Sequence, residues 1–531
     1  YNGGKYSAYT FHRYHDVRLV MAPEEQIAFF GGAPDNFTYP RYDLDMSWFR
    51  VYGPDGKPLN SSHYFPFSKS GSKVGEAVFV VGNPGSTSRL NTVAQLQFER
   101  QYALPQQLDI LRTRARILED YIAGHEEEAE QYDLHNALFS VQNSLKALGG
   151  ELEGLRSDAI MLRRKAAERQ LQQAIQANDT LRSQYGNVIA ALEDLQRSKE
   201  ATANQAGAFT YFGSDEMESH VLLRALYGYI YDLLRQRGAP EEQLTTYREG
   251  GLEVKDWPKE VDQAFLAARL RELQRYFGAN DPTVRRILGG RTPEQVAQQV
   301  VSGTALTDSA GFANLLERGY LSSNDPTVAL INAIAPLYFA LSDQQQNLEA
   351  REQNLNAKLA RARFVVYGTQ IPPDATFSLR IADGVVKPYP YNGTLAPAYT
   401  TMYGVYDRHY SFPPSREEWD LPQRWLNPPP EFQKSTPLDL VSTNDITGGN
   451  SGSPLLNKNL EVVGLIFDGN IESLPSVYVY TDTFNRAVSV DSRGIVEALG
   501  DMYDADRIVL ELTQQQLADT EEEADAMMSA K

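Results

Sequence analysis

Apolar residues change their spacing twice along the chain. Residues 45–52 form an aromatic-rich run that ends at the turn sequence 53–56, and residues 77–81 form a second apolar run, so the first part of the chain predicts strands. From about residue 97 the apolar positions follow helical spacing instead. Three such stripes are Leu108, Leu111, Leu118 and Ile122; Leu138, Val141, Leu145 and Leu148; and Leu181, Tyr185, Val188, Leu192 and Leu195. Residues 363–367, Arg-Phe-Val-Val-Tyr, predict a return to strand structure.

This pattern predicts a β-rich body interrupted by a helical insertion. An insertion of about 270 residues is far longer than a loop and must form a domain. We therefore expect residues 1–96 and 363–531 to build the β domain, and residues 97–362 to build an α-helical cap domain. Thr292-Pro293-Glu294-Gln295 has the form of a capping box, which predicts that a helix begins there. The leucine stripes are interpreted as the core of the cap rather than as a coiled-coil partner site.

Composition excludes several classes of function. The 531 residues include 69 acidic and 50 basic ones, for a formal net charge of -19. This charge argues against a nucleic-acid or anionic-membrane partner, because no basic surplus is available to neutralise phosphates. No cysteine is present, which excludes disulfides and thiolate catalysis. The sequence contains no apolar run of about eighteen residues, no metal-binding constellation and no phosphate-binding glycine loop, so we expect no membrane span, metal or cofactor.

The most informative segment is residues 443–454, in which Ser451 stands among glycines. Gly449 has no Cβ and can adopt the positive φ that turns its N–H, together with that of Ser451, toward one point. Such a pair of amides can stabilise the oxyanion of a tetrahedral intermediate. Ser451 is therefore the candidate nucleophile of a serine protease, with Gly449 and Ser451 as the oxyanion hole. The alternative is a glycine-rich surface turn without chemistry.

The same segment resembles the S46 family of bacterial dipeptidyl-peptidases, whose signature Asp-Ile-Thr-Gly-Gly-Asn-Ser-Gly-Ser-Pro is intact at residues 445–454. Further blocks that look like this family are residues 16–20, 35–41, 373–380, 383–384 and 464–470. The resemblance extends from the first residues to about residue 500. It implies an α+β multidomain fold, in which a chymotrypsin-like double β-barrel carries a large all-α insertion domain.

A serine hydroxyl needs a base, which is normally a histidine held by a carboxylate. The resemblance places that carboxylate at Asp45, although Tyr42-Asp43-Leu44 replaces the usual His-Thr-Gly before it. The family carries its histidine upstream, in a Thr-Asn-His-His block that this chain lacks. His12 and His15 precede Asp45, but their surroundings do not match that block. We therefore expect the catalytic histidine in an N-terminal segment that is missing here.

A dipeptidyl-peptidase must also bind the free N-terminus of its substrate. By resemblance, Asn36, Phe37 (where tryptophan is usual), Arg41 and Asp468 do so, with Asn143 contributed by the helical domain. A carboxylate such as Asp468 can accept charge-assisted hydrogen bonds from an ammonium group. The alternative is that Asp468 is an ordinary strand-end acid and Asn143 an ordinary amide on a helix surface.

Gly469 is the candidate determinant of specificity for the P1 side chain. Family members that prefer acidic P1 residues carry arginine at this position, whereas glycine leaves the pocket uncharged. The resemblance thus implies a serine exopeptidase that releases dipeptides with hydrophobic P1 residues, forms a homodimer and is periplasmic or secreted. The alternatives are a chymotrypsin-fold endopeptidase and a catalytically incomplete peptide-binding or scaffold protein.

Overall fold

A computed structural model describes residues 8–529, which form two compact units. One unit contains residues 8–90 and 372–529, and it holds the strands. The other contains residues 91–371 and is built from helices. The predicted domain boundaries at 96/97 and 362/363 stay predictions.

The strands of the first unit confirm the two runs read from the sequence, residues 45–52 and 77–81. In chain order the strands are β1 (Asp16–Met21), β2 (Trp48–Tyr52), β3 (Ala77–Gly82), β4 (Arg380–Val385), β5 (Tyr389–Tyr391), β6 (Thr394–Ala396), β7 (Tyr399–Thr401), β8 (Pro437–Ser442), β9 (Pro454–Asn457), β10 (Val462–Gly469) and β11 (Ala487–Asp491). β1 pairs with β2, and β5 pairs with β6. The others form one sheet in the order β4-β3-β9-β10-β11-β8-β7, with antiparallel neighbours throughout.

This sheet does not reproduce the expected double barrel. β4 and β7 are its two edges, and the strands of the described residues form no closed barrel. The coarser prediction, a chain that combines a sheet-based part with a helix-rich part, is correct. The double β-barrel itself is not confirmed, because apolar runs in a sequence predict strands but do not determine how the sheet edges pair.

Packing on both faces explains why the central strands are so apolar. β11 is buried along its whole length between β10 and β8. Leu440 and Val463 belong to one apolar cluster, and Leu438 and Val490 belong to another. The second cluster also receives side chains from helices of this unit. Those helices are Glu25–Ala28, Tyr403–Ser411, Gln423–Leu426, Ser492–Glu497, Asp506–Gln514 and Glu521–Ser529. The unit also contains the helix Gly32–Asp35.

The second unit confirms the helical stripes. Its α-helices are Val93–Phe98, Leu104–Ile122, Glu126–Gln131, Leu134–Arg156, Asp158–Ala177, Asp179–Tyr185, Val188–Glu200, Ala203–Gly207, His220–Gln236, Glu241–Glu253, Lys259–Phe277, Pro282–Leu288, Pro293–Gly303, Ser309–Arg318 and Pro326–Tyr367. Leu108, Leu111 and Leu118 are buried, as expected for core positions. The capping box is also confirmed, since the Thr292 hydroxyl accepts from the Gln295 amide and the Gln295 side chain accepts from the Thr292 amide.

The strand predicted at residues 363–367 is wrong, because these residues are the last turns of the helix Pro326–Tyr367. Leu359 and Ala362 are buried against side chains of neighbouring helices, including Leu192. This packing favours the helix over the strand propensity of a short Phe-Val-Val run.

The helix Pro326–Tyr367 is also long and apolar enough to cross a bilayer, with a mean hydropathy of 1.2 over one 18-residue window. A single helix of this kind is weak evidence for a membrane span, because a helix in a protein core meets the same criteria.

Candidate active site

Ser451 lies in the turn that joins β8 to β9, and the start of this turn is fastened to the sheet. The Thr443 hydroxyl accepts from the Val385 amide at 2.9 Å. The Asn444 side chain donates to the Ala382 carbonyl oxygen at 2.8 Å. Because both contacts are to β4 or its end, the turn is held on a rigid support, which is what a catalytic group requires.

Hydrogen bonding alternates along the turn. The Asn450 amide donates to the Thr447 carbonyl oxygen at 3.1 Å, and the Gly452 amide donates to the Ile466 carbonyl oxygen at 2.7 Å. Within the described part of the chain, the amides of Gly449 and Ser451 have no recorded acceptor. The Ser451 side chain is exposed. The geometry therefore leaves two amides and one hydroxyl available to a ligand at the same turn, and their roles as oxyanion hole and nucleophile stay predictions.

Glycine is required at position 449 for two reasons. Its φ is +100°, a backbone conformation that other L-residues rarely adopt. A Cβ at this position would also lie 2.6 Å from the Asn83 carbonyl oxygen. The loop after β3, which contains Asn83, cannot easily move away from the serine turn, because the Gly85 amide donates to the Gly448 carbonyl oxygen at 2.7 Å. Gly449 thus lets the serine turn and the loop after β3 come close together.

The Ser451 hydroxyl makes a long contact of 3.4 Å with the Phe467 carbonyl oxygen. Phe467 lies at a β-bulge of β10, where the register with β11 shifts between Ile466 and Asp468. Bulges redirect side chains and are common beside active sites.

The general base is not found at the serine. Within residues 8–529, no histidine has a recorded hydrogen bond to Ser451. His12 and His15, the two histidines that precede Asp45, are both exposed. The expectation that the base belongs to a segment outside this sequence stays a prediction.

Two of the residues predicted to bind the substrate N-terminus, Arg41 and Phe37, contact a third, Asp468. Its carboxylate accepts from the Arg41 guanidinium at 2.8 Å, from the Phe37 amide at 2.8 Å and from the Gly469 amide at 2.7 Å. Asn36, which precedes Phe37, is buried as well. Burial raises the pKa of Asp468, while the charge of Arg41 and the amide hydrogen bonds lower it. An ammonium group would have to share this carboxylate with Arg41.

Arg41 is shared with a second buried carboxylate, Asp43, which sequence reasoning missed. The guanidinium contacts Asp43 at 2.8 Å, and the Asp43 amide donates to the Asp439 carboxylate at 3.0 Å. Burial raises the pKa of Asp43 to about 7, although the charge of Arg41 acts in the opposite direction. The available signal was the spacing: two residues after Arg41, Asp43 can point to the same side of an extended chain.

Asp45, the predicted orienting carboxylate, belongs to the same electrostatic environment. It is exposed, yet the surrounding protein removes part of its hydration and so raises its pKa. The positive charge of Arg41 lowers this pKa and the negative charge of Asp468 raises it further. Ser451 contacts Phe467, the residue that precedes Asp468, and the charge of Asp468 acts on Asp45. The relation of Ser451 and Asp45 as members of a triad stays a prediction.

Asn143 and Gly469 have different surroundings. Asn143 is half-buried on the helix Leu134–Arg156 of the helical unit, and its proposed contact with a substrate stays a prediction. Gly469 ends β10, directly after Asp468. A Cβ at position 469 would lie 2.5 Å from the Ser473 hydroxyl, so Ser473 lines the space into which a longer side chain would extend.

Arg89 is a further residue that the sequence did not single out. It donates two hydrogen bonds to the carboxylate of Asp445, the first residue of the serine signature, one of them at 2.8 Å. Its Nε donates to the Ser476 carbonyl oxygen at 2.7 Å, and its amide donates to the Asp374 carboxylate at 2.8 Å. Arg89 therefore connects three segments at the entry to the serine turn. No local sequence signal could have identified it, because its partners lie hundreds of residues away.

Known proteins resemble this chain over most of its length. An Asp/Glu-specific dipeptidyl-peptidase of Shewanella putrefaciens is 27% identical over 96% of this chain and 76% of its own. A dipeptidyl-peptidase 7 of Porphyromonas endodontalis is 27% identical over 93% of this chain and 63% of its own. The crystal structure of Porphyromonas endodontalis DPP11 in complex with the dipeptide Arg-Glu superimposes with a TM-score of 0.79 at 19% identity, covering 94% of this chain and 75% of that one. This likeness shows that the fold is shared.

The comparison contradicts the hydrophobic P1 preference expected from Gly469. Relatives that match nearly the whole chain include proteins named Asp/Glu-specific dipeptidyl-peptidases. The matching crystal structure contains a dipeptide that ends in glutamate. The prediction was wrong because it inferred the pocket's preference from a single uncharged position.

The catalytic signature is part of a much longer match. Residues 1–514 match the model of the family described as Peptidase S46. This match includes the serine turn, the whole helical unit and the group formed by Arg41, Asp35, Asp43 and Asp468, which we call the Asp468 cluster. The chain therefore belongs to the peptidase S46 family.

Proposed function

We propose that this chain is a serine dipeptidyl-peptidase, which releases dipeptides from the free N-terminus of peptides. One observation carries the proposal: the exposed Ser451 hydroxyl lies in a turn whose Gly449 and Ser451 amides have no acceptor among the described residues, whereas the amides of Asn450 and Gly452 donate to carbonyl oxygens. The names of the relatives support the same reaction.

In the proposed reaction, Ser451 Oγ attacks the carbonyl carbon of the second peptide bond. A base accepts the hydroxyl proton as the C–O bond forms, and the amides of Gly449 and Ser451 donate to the oxyanion. The base then protonates the leaving amine as the C–N bond breaks, and water hydrolyses the resulting ester. By family resemblance, the base is a histidine oriented by Asp45.

The exopeptidase character is proposed to come from the Asp468 cluster. Among residues 8–529, Arg41 is the one cation with recorded ion pairs to these three carboxylates, at 2.8 Å from Asp468, 2.8 Å from Asp43 and 3.7 Å from Asp35. When these carboxylates are ionised the cluster has an excess of negative charge, which favours binding of a substrate ammonium group. Asn36 and Phe37 would line this site. We further propose that Asn143 of the helical unit contributes to it.

The proposal also covers the chymotrypsin-like fold of the β unit, the cellular location, the oligomeric state and the substrates. The antiparallel sheet and the bulge beside the serine support a chymotrypsin-like arrangement of the β unit. Membership of the S46 family supports a periplasmic or secreted location, a homodimer and peptides with free N-termini as substrates.

The proposal is tested with a fluorophosphonate probe and with dipeptidyl substrates. With an upstream segment that contains a Thr-Asn-His-His block supplied, we expect the probe to label the wild-type chain and the Ser453→Ala variant but not the Ser451→Ala variant. Ser453 is the matched control because it is a second serine of the same turn. Mass spectrometry of digested peptides should show dipeptides, and N-acetylation of the substrate should abolish their release.

Two other outcomes would point elsewhere. Internal cleavage of N-acetylated peptides would indicate an endopeptidase. Binding of peptides without labelling or turnover would indicate a peptide-binding protein, which is the reading favoured by the lack of a recorded hydrogen bond from any described histidine to Ser451. Supplying an upstream segment with a Thr-Asn-His-His block should restore labelling only if the enzyme proposal is correct.

A further inference from the structure

The loop before β4 presents an aromatic side chain beside the serine turn. We propose that Phe377 forms the subsite for the leaving peptide and makes the enzyme favour an apolar or aromatic residue at P1′, the first residue after the cleaved bond. This inference rests on the proposed function. It assigns a role to the block at residues 373–380, which was noted in the sequence for its resemblance alone.

The backbone of Phe377 has an unusual conformation that the surrounding residues enforce. Its φ is +57°, in the left-handed region that bulky L-residues avoid. Its amide donates to the carbonyl oxygens of Pro84 and Gly85, both at 2.8 Å. The Asn83 side chain donates to the Phe377 carbonyl oxygen at 3.3 Å. Strained conformations that are held in this way cluster at functional sites.

Packing in the core does not explain this strain. The side chain of Phe377 is 66% exposed, so it contributes little apolar burial. Its ring instead lies beside the oxyanion turn, with Cε2 3.2 Å from the point where a Cβ of residue 449 would stand. The Gly85 carbonyl oxygen accepts from the Phe377 amide, and the Gly85 amide donates to the Gly448 carbonyl oxygen, so the loop after β3 joins the Phe377 loop to the serine turn. An exposed aromatic ring is thus fixed next to the amide that would donate to the oxyanion.

The position of the ring indicates which part of the substrate it meets. On one side of the turn, the Gly452 amide and the Ser451 hydroxyl both contact β10, which leads directly to Asp468. The proposed function places the substrate N-terminus and its first two residues on that side. The peptide beyond the cleaved bond must then leave past Gly449, where Phe377 lies. An apolar or aromatic side chain would bury area against the ring and stack on it.

The test compares peptides that share their first two residues and differ only in the third, which is Phe, Leu or Gly. We expect the wild-type kcat/KM to be about tenfold higher for Phe and Leu than for Gly, the range that one hydrophobic contact provides. Phe377→Ala should bring this ratio close to one, and Phe377→Leu should retain most of it. Phe49→Ala is the matched control, because Phe49 is 59% exposed on β2.

A second readout separates this role from a structural one. The leaving peptide has departed before the acyl-enzyme is hydrolysed, so Phe377→Ala should leave the deacylation rate constant unchanged. Equal losses in acylation and deacylation, a wild-type enzyme indifferent to P1′, or an unaltered ratio in Phe377→Ala would each overturn the inference while dipeptides are still released. Absence of dipeptide release by the wild type, even with the upstream Thr-Asn-His-His segment supplied, would overturn the proposed function together with it.

Discussion

The guanidinium of Arg41 donates to the carboxylate of Asp468 at 2.8 Å, and both side chains are almost completely buried. The same guanidinium contacts the buried Asp43. Burial by itself lowers the pKa of Arg41, but the charges of Asp43, Asp468 and Asp35 outweigh it and raise the pKa overall. Arg41 therefore stays charged, and it holds together the loop before β2 and the C-terminal end of β10.

Replacing Arg41 with methionine should destabilise the β unit. The substitution leaves Asp43 and Asp468 buried without their cation, and removing one partner of a buried pair typically costs about 3–5 kcal/mol. The loss should be larger at pH 8 than at pH 5, because at the lower pH the carboxylates can take up protons. Urea unfolding can be followed by tryptophan fluorescence, since Trp48, Trp419 and Trp425 lie in this unit.

Arg18→Met is the control for this experiment. Arg18 pairs with Asp16 at 2.8 Å, but both side chains are exposed. We expect no measurable change in the unfolding midpoint, because exposed ion pairs contribute little. Equal effects of the two substitutions would contradict a special role for the Arg41 pair.

Stability should also depend on pH through Asp43. Burial raises its pKa from 3.8 to about 7 in the folded protein, so between these values the folded state binds a proton that the unfolded chain has released. The free energy of unfolding contributed by this group is therefore full below about pH 4 and is lost as the pH rises through about 7. We expect a decline of up to about 1.4 kcal/mol per pH unit in this window.

Asp43→Asn should make that decline shallower. Part of the slope should remain, because burial raises the pKa of Asp439 and Asp468 in the same direction. Asp16→Asn is the control, since a hydrogen bond from Arg18 lowers the pKa of this exposed carboxyl. A free energy of unfolding that rises between pH 5 and pH 7, with Asp43→Asn having no effect on its slope, would refute the assignment.

Gly449→Ala should damage catalysis far more than Gly448→Ala. At position 449 the φ of +100° and the 2.6 Å approach to Asn83 force the turn to move, whereas a Cβ at position 448 meets no atom within 4 Å. Loss of one oxyanion donor lowers kcat by about 10²–10³-fold. Kinetics with one dipeptidyl substrate would measure both variants, and similar kcat values for the two would argue against Gly449 as a donor.

Physical rules that act over a few residues were sufficient to predict the conformation of the serine turn and the helical stripes from the sequence. A serine among glycines predicts accessible amides because glycine alone tolerates the required φ, and the turn at Gly449 has that conformation. Helical spacing of leucines predicts a buried stripe because side chains three and four residues apart share one face of a helix. The capping box at Thr292 is equally local, and it begins the helix Pro293–Gly303.

Contacts between residues far apart in the sequence determined the buried ion pairs of Arg41 and the end of the helix Pro326–Tyr367. Arg41 and Asp468 are 427 positions apart, so their pairing, and the sharing of Arg41 with Asp43, depend on how β10 packs against the loop before β2. Packing between helices likewise turned the Phe-Val-Val run at residues 364–366 into the end of a helix. Propensity and spacing act over a few residues, whereas burial of charge and of apolar surface is determined only when the chain folds. For this reason the exposed serine turn could be predicted from the sequence, while the buried ion-pair cluster became visible only in the tertiary structure.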